Sequence, residues 1–449
     1  MLPYKTKICE PLPLTSREER EMEMAKAGYN VYSLPAETVT IDLLSDSGTS
    51  AMSQEQWSRM ILADESITYS RSYFHFVEKV KEVFGYEYVL PVHQGRSGEH
   101  ILFKVVVNEG DHLPSNGHYA TTQENIHFHG GVAVSLLTQR AFDPHSQDSF
   151  KGEMDLDSLK SLLEKECVPL SLLTITNNDG AGQPVSLKHI REVSKLLRGK
   201  RIPLFFDACR FAENSFLIQK KEKGYEKKTI PEIVKETFSW GDGCFMSMKK
   251  DGLSNVGGFL ALKDGDLYEK LRSFLLLIEG FHTEGGMAGR DLEAMVLGLE
   301  EVLEETYLTA RVEQVHRLGE RLLRSGVPVY QPFGGHAVYL LAGEFVPHIS
   351  PEEFPSEMLA SEIYVEGGIR TLPVGIKGWN KRNGPDSGIQ PFFEMIRLAI
   401  PRRVYSESHM DYVAEVIGRV YKRKESIRGL CLTYDPPFLK HYIARFEKI

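Results

Sequence analysis

Two adjacent lysines lie inside Met246-Ser247-Met248-Lys249-Lys250-Asp251-Gly252, downstream of Phe205-Phe206-Asp207-Ala208-Cys209-Arg210. The run Ile202-Pro203-Leu204-Phe205-Phe206 has the length and apolar character of a buried parallel strand, and it stops at Asp207. That carboxylate would sit at the strand's carboxyl end, the edge where open α/β sheets bind ligands. A Lys-Lys pair is ordinarily a solvated surface pair, and a strand-terminal Asp is common. Here the lysines are wedged between Phe245-Met246-Ser247-Met248 and the apolar strand Gly257-Gly258-Phe259-Leu260-Ala261-Leu262, and lysines so placed need a chemical reason. An anion for a pyridine nitrogen and a lysine for an imine are what pyridoxal 5'-phosphate (PLP) requires. Asp207 and Lys250 are the candidates.

Three further segments could serve the same site. His93-Gln94-Gly95-Arg96-Ser97-Gly98-Glu99 follows an expected strand and opens an expected helix, so backbone amides and Arg96 could hold a phosphate, with Ser247 adding a hydroxyl. The bland reading is a plain strand-to-helix turn. Asn178-Asp179-Gly180-Ala181-Gly182-Gln183-Pro184-Val185-Ser186 is another strand-end loop or a simple turn into a capped helix. Arg397 interrupts the apolar Met395-Ile396-Arg397-Leu398-Ala399-Ile400, either as a buried structural ion pair or as a bidentate clamp for a carboxylate.

Positioning these residues takes an α/β framework. Helical and strand signals alternate from Glu55 to Glu301: Tyr73-His75-Phe76-Val80-Val83 reads as helix, Tyr88 to Val92 as strand, Glu99 to Val107 as helix. Such alternation implies a doubly wound, mostly parallel sheet flanked by helices. Residues 302–449, with the amphipathic Val312-Val315-Leu318-Leu322 and the short strands Val327-Tyr330 and Ala337-Leu341, read as a smaller α+β lobe that residues 1–54 join as an N-terminal arm. No internal repeat or low-complexity linker separates the lobes, so the site is expected between them.

Composition sets bounds. The 449 residues are 26% charged and 42% hydrophobic, ample for a substantial core. A net charge of −9 without a long basic block argues against nucleic acid or an anionic membrane as partner. No targeting segment or bilayer-length apolar stretch is evident, which reads as a soluble, cytoplasmic protein. Five scattered cysteines without CxxC spacing argue against a disulfide framework or a zinc site.

With these residues in view, nearly the whole chain resembles the tryptophanase and tyrosine phenol-lyase family of β-eliminating, PLP-dependent lyases with the aspartate aminotransferase fold, the PLP-dependent transferase fold type I. The resemblance is carried in order by Asp46-Ser47-Gly48-Thr49, His93-Gln94-Gly95-Arg96, Gly182-Gln183-Pro184-Val185-Ser186, Arg210-Phe211-Ala212-Glu213-Asn214, Ser247-Met248-Lys249-Lys250-Asp251, Gly289-Arg290-Asp291-Leu292-Glu293-Ala294-Met295, Gly334-Gly335-His336-Ala337 and Ile400-Pro401-Arg402-Arg403. It implies that Lys250 forms the internal aldimine and later removes the α-proton, that Asp207 pairs with the pyridinium, and that Arg210 contacts the ring oxygen. It places Gln94, Gly95, Arg96, Ser247 and Lys249 around the phosphate, and Tyr119 stacked on the ring. Ser47, Asn178 and Arg397 match the residues that hold the substrate carboxylate; Ser45, Ile67, Ala120, Val374 and His441 complete the implied substrate set. Gly48, Glu65 and Asn255 match a site for K⁺ or ammonium at the dimer interface, and the family norm is a homotetramer with active sites shared between subunits.

The sequence departs from the family where the leaving group is handled. Both characterised branches carry a tyrosine in Asp-Glu-Ala-Tyr that protonates the leaving group; here the segment is Asp64-Glu65-Ser66-Ile67. A carbon leaving group must be protonated before it departs, and a general acid contributes roughly 10² to 10⁴ in rate. Tyr69 could face the same way were the segment extended, and His441 matches a histidine of the tryptophanase branch or is simply a packed C-terminal residue. Ala120 stands where tyrosine phenol-lyase has threonine and tryptophanase has aspartate, and Val374 replaces the arginine that recognises the phenol hydroxyl. A thiolate, whose acid has a pKa of about 8.5, departs without prior protonation. The expected reaction is therefore β-elimination from an S-substituted cysteine or a similarly activated amino acid, giving pyruvate and ammonia. Alternatives are a tryptophan or modified-tryptophan lyase with Tyr69 or His441 as acid, transamination or β-replacement on the same residues, and a non-catalytic PLP-binding paralogue.

Overall fold

The structure, a computed structural model, describes residues 2–178, 180–374, 394–436 and 440–449. Asp179 and the segment Gly378-Trp379-Asn380-Lys381-Arg382-Asn383-Gly384 lie outside the described residues. The chain divides into two compact units: residues 47–143 with 147–311, and residues 1–46, 144–146 and 312–449.

The larger unit is built on a five-stranded sheet in the order Tyr88–Val92, Gly258–Leu262, Gly243–Ser247, Leu204–Asp207, Ser171–Thr174. The last three run parallel, as the strand-helix alternation predicts. Gly258–Leu262 is reversed, antiparallel to both neighbours. The ten residues between it and Gly243–Ser247 are too few for the helical crossover that a parallel return needs, typically a dozen residues or more. Every residue of these two strands is buried, which accounts for their continuous apolar runs.

Helix Arg71–Phe84 shows how the flanking layer forms. Ser70 caps it by accepting from the Tyr73 amide, Gly85 ends it at φ 75°, and Tyr73, Phe76, Val80 and Val83 recur at helical spacing on its buried face. Helix Gln54–Leu62 belongs to the same unit: Ser53 bonds Glu301 at 2.5 Å, and Gln56 Nε2 donates to the Leu253 and Ala294 carbonyls at 3.0 and 2.9 Å. This attachment puts the start of the unit at Ser47, where the sequence pattern alone suggests 55.

The smaller unit carries a four-stranded sheet in the order Ile41–Leu43, Ile369–Val374, Met395–Ala399, Ala337–Leu341. Helices Pro355–Gly367 and Glu407–Lys422 contribute Leu359, Ile363, Val413, Ile417 and Val420 to its core. Val327 to Tyr330, expected as a strand, makes only the bridge Val329–Leu340. Pro328 has no amide to extend the ladder. Asp46 and Arg402, both in resemblance-bearing motifs, form a fully buried ion pair at 2.9 Å. Among the described residues no helix is long and apolar enough to cross a membrane.

Candidate active site

The centre of the larger unit is the turn after Gly243–Ser247, which carries Lys249 and Lys250. Three contacts fix its shape: Leu253 N donates to Lys250 O at 3.0 Å, Ser254 N to Met248 O at 3.2 Å, and Asp251 N to Cys209 O at 3.3 Å. Helix Gly289–Glu301 passes so close beneath that a β-carbon on Gly298 would lie 1.8 Å from the Gly252 carbonyl oxygen. Only glycine fits there. Asp251 is fully buried, and its Oδ2 accepts from the Ala212 and Glu213 amides at 2.8 and 3.2 Å. It thereby caps helix Phe211–Lys221, whose own N-cap residue, Arg210, supplies no side-chain cap bond. The residue next to Lys250 is thus welded to the helix that begins at Arg210.

Lys250 Nζ lies 3.7 Å from Cys209 Sγ, which also accepts from the Ser247 amide at 3.3 Å. Asp207 ends its strand, in register with Phe245, and its Oδ1 accepts from the Cys209 amide at 3.1 Å. Burial and the nearby Asp207 push the Cys209 thiol up to about 12, so it stays protonated. Asp207, Arg210 and Lys250, singled out from sequence, therefore meet on one short stretch of chain around Cys209, a residue the sequence reading left without a role.

A phosphate cup adjoins them. Helix Gly95–Val106 opens at Gln94 with no side-chain cap, leaving its first amides for an anion. A β-carbon on Gly95 would lie 2.8 Å from Ser247 Cβ, so this opening sits directly against Ser247. Gln94 bridges Gly257, whose carbonyl accepts from the Met248 amide at 2.9 Å. Lys249 is held below the usual lysine range by burial and by the like charges of Lys250 and Arg96. Three crowded cations, a serine and a bare helix start suit a phosphate dianion, and a strand-end carboxylate beside the lysine suits a pyridinium. The residues present fit PLP.

Tyr119 and Ala120 open helix Ala120–Phe128, which is tied to the Gly95 helix by Thr122 Oγ1 donating to Glu99 at 2.7 Å. Asn178 lies in the loop closed by the Asn177–Gln183 bridge, and Arg210 is buried with its amide directed to Ile175 O at 3.3 Å. Ser47 begins the unit, and Gly48 N donates to Lys249 O at 2.7 Å. Asn255 Nδ2 bonds the Gly48 and Ser50 carbonyls, both at 3.0 Å. Glu65 is engaged elsewhere: its carboxylate accepts from the Gly289 amide at 3.0 Å and pairs with Arg290 at 3.3 Å. Gly48 and Asn255 thus come together within one chain, and Glu65 does not join them.

Ile67 is 60% exposed, and its carbonyl accepts from Thr283 Oγ1 at 3.2 Å. Tyr69 does not continue an extended segment: its φ is 50°, in the left-handed region, so the two-residue alternation that would align it with position 67 is broken. Its ring stacks on Phe74, and its hydroxyl lies 3.5 Å from His282 Nε2.

In the smaller unit, Arg397 is 5% exposed and donates to the Leu44 carbonyl at 3.3 Å, beside Ser45. The neighbouring strand ends at the half-buried Val374. His441 lies on helix Lys440–Ile443, against Tyr442 and Tyr32. Burial pushes its pKa down to about 4, leaving a neutral imidazole at pH 7. Sequence reasoning missed the buried Glu99 and Thr122, with the half-buried Asn125 bonded to Glu99, and the capping role of Asp251.

Residues 42–416 match the family profile described as Beta-eliminating lyase. The chain belongs to that family. It is 47% identical over 448 residues to the tryptophanase of Salinibacter ruber, covering 99% of this chain and 95% of that protein. It is 42% identical over 452 residues to the tyrosine phenol-lyase of Symbiobacterium sp. strain SC-1, covering 100% and 98%. In three dimensions it is similar to an aminotransferase from Staphylococcus aureus, with a TM-score of 0.59 at 15% identity over 85% of this chain and 94% of that one, which shows the shared aminotransferase fold. The protein is a β-eliminating lyase of a PLP-dependent family, with the fold expected from sequence.

Proposed function

We propose that this lyase acts on an L-amino acid whose β-substituent leaves as a stable anion, an S-substituted cysteine first among them. The overall change is RS–CH₂–CH(NH₃⁺)–COO⁻ plus water to RSH, pyruvate and ammonium. PLP, when bound, supplies the electron sink that lets the α-proton and the β-substituent depart. The Gly95 helix start, Arg96, Ser247 and Lys249 would hold its phosphate, and Asp207 would pair with its pyridine nitrogen. Lys250 Nζ would be the amine that holds the cofactor's carbonyl carbon and the group that moves the α-proton, and Tyr119 would offer its ring to the cofactor. Ser47, Asn178 and Arg397 are the residues the resemblance offers to the substrate carboxylate.

The observation that carries the substrate class is Ile67. An exposed aliphatic side chain stands at the position that the family resemblance assigns to the acid, so carbon leaving groups lose their proton donor and thiolates do not need one. Ala120 and Val374 take away the polar pairings that would discriminate indole or phenol. His441 as a neutral imidazole is a poor acid at pH 7. One contact favours a second reading, a tryptophan lyase: Tyr69 Oη at 3.5 Å from His282 Nε2 could be drawn into service as the acid. Pyruvate release from S-methyl- and S-benzyl-cysteine against tryptophan, with Tyr69→Phe in parallel, separates the two.

A monovalent cation at Gly48 and Asn255, completed by the Glu65 carboxylate of another copy, and a tetramer built by self-association belong to the same proposal. Ile61 at 83%, Leu62 at 66% and Leu277 at 77% exposure are apolar side chains that an assembly would cover.

A further inference from the structure

Cys209 touches several parts of the site at once, and each of its polar groups meets a different one. Its amide donates to Asp207 Oδ1 at 3.1 Å, its carbonyl accepts from the Asp251 amide at 3.3 Å, and its Sγ accepts from the Ser247 amide at 3.3 Å. The fourth contact is Lys250 Nζ, 3.7 Å from the same sulfur. Among the described residues this sulfur is the only hydrogen-bond partner of Lys250 Nζ. The thiol therefore lies between two neighbouring strand ends, those of Asp207 and Ser247, with the lysine tip against it.

The choice of sulfur has a physical consequence. A lysine amine rides on a flexible four-carbon stem, so it needs a partner to hold its tip in one place. A thiol is a weak donor and a weak acceptor, enough to set the direction of the stem. A carboxylate at the same point would make a charge-assisted bond about twice as strong and hold the amine back from its work. Sulfur holds the tip and also lets it go.

We propose that Cys209 is the positioning residue of Lys250: its sulfur parks the amine between the strand ends that carry Asp207 and Ser247, releases it to the cofactor's carbonyl carbon, and receives it again whenever it is free. This rests on the PLP reading above. Cys209→Ala removes the sulfur alone, because the contacts to Asp207 and Asp251 run through the backbone and Ser247 stays paired with Gly258.

The test mixes PLP with the PLP-free full-length chain and follows the visible band that appears as the lysine nitrogen bonds to the aldehyde carbon and water leaves. Pyridoxine 5'-phosphate, which carries the same ring and phosphate but no aldehyde, is titrated in parallel. In Cys209→Ala the band should form about 2- to 10-fold more slowly, the worth of one ordinary hydrogen bond, while affinity for pyridoxine 5'-phosphate changes by less than about twofold. Cys209→Ser, whose hydroxyl also accepts from an amine and an amide, should recover most of the rate. An unchanged rate in Cys209→Ala, a rate that falls only in step with pyridoxine 5'-phosphate affinity, or a Cys209→Ser variant no faster than Cys209→Ala would overturn the proposal. If Cys209→Ala does not fold, the infrared S–H stretch of the PLP-free protein decides: the band missing in Cys209→Ser should shift in Lys250→Met, and an unshifted band would overturn the proposal. A chain that binds neither PLP nor pyridoxine 5'-phosphate would sink the cofactor reading, and the infrared comparison, which needs no cofactor, would still decide whether the sulfur holds the lysine.

Discussion

Replacing Gly95 by alanine probes the phosphate cup with one methyl group. Its β-carbon would lie 2.8 Å from Ser247 Cβ, 2.9 Å from Ser247 N and 3.1 Å from Ser247 Cα. Carbon atoms in contact prefer about 3.5–4.0 Å, so the overlap is roughly 0.7 Å or more against backbone. Ser247 is 6% exposed, on a strand paired on both sides, and cannot retreat. Overpacking of this kind costs about 1–3 kcal/mol, whereas alanine's helix propensity returns at most about 1 kcal/mol. The clash wins, by about 1–2 kcal/mol, and Tm should fall by roughly 2–8 °C. The relief available is for the helix start to slide off Ser247, which misaims amides that would bond the phosphate. Hydrogen bonds to charged groups are worth about 1.5–3 kcal/mol, so PLP affinity should drop about 10- to 150-fold. Thermal melts of the PLP-free protein and a PLP titration followed by visible absorbance measure both. Gly199, the last residue of helix Leu187–Gly199, has nothing within 4 Å of its would-be β-carbon, so Gly199→Ala should leave PLP binding unchanged and not lower Tm. Unchanged PLP affinity in Gly95→Ala would refute the placement of the cup.

Gly418 lies inside helix Glu407–Lys422 with nothing within 4 Å, so Gly418→Ala should stabilise by about 0.5–1 kcal/mol, seen as a higher urea midpoint with an unchanged m-value. Arg402→Met should cost about 3–5 kcal/mol by leaving Asp46 charged and buried, whereas exchanging an exposed partner, as in Arg17→Met, should change stability by less than about 1 kcal/mol. His118 and His189 are buried and pushed down to about 3 and about 4. Below pH about 6.5 the unfolded chain takes up protons that the folded one refuses, so stability is full above that pH and declines as pH falls toward 4. Denaturant melts across this window should show a shallower decline in His189→Gln, by up to one proton in slope; an unaltered slope would contradict the assignment. Tyr69→Phe should leave thioether turnover unchanged.

The lysine turn and its strand-end aspartate are legible in the sequence because a buried apolar run that stops at a charge leaves few other readings. Helix Arg71–Phe84 is legible for its cap, periodicity and terminal glycine. The reversal of Gly258–Leu262 is visible only in hindsight, through the short connection that precedes it. Glu99 is hidden for a different reason: one helical turn separates it from Gly95, so its spacing fits a surface glutamate equally well. Only the fold brings Thr122 and Asn125 over it and closes it from water. Asp251 likewise reads as a charge trailing two lysines, until helix Phe211–Lys221 arrives with two bare amides. Tyr69 fails as a simple two-residue substitute for the acid because the chain turns left-handed there.

The most direct measurement is pyruvate release by the PLP-loaded protein in K⁺ buffer, with S-methyl-cysteine, S-benzyl-cysteine, tryptophan and tyrosine assayed side by side. The account predicts turnover of the thioethers, abolished by Lys250→Ala, with tryptophan and tyrosine slower by about 10²-fold or more. Tryptophan turned over as fast as the thioethers would contradict it.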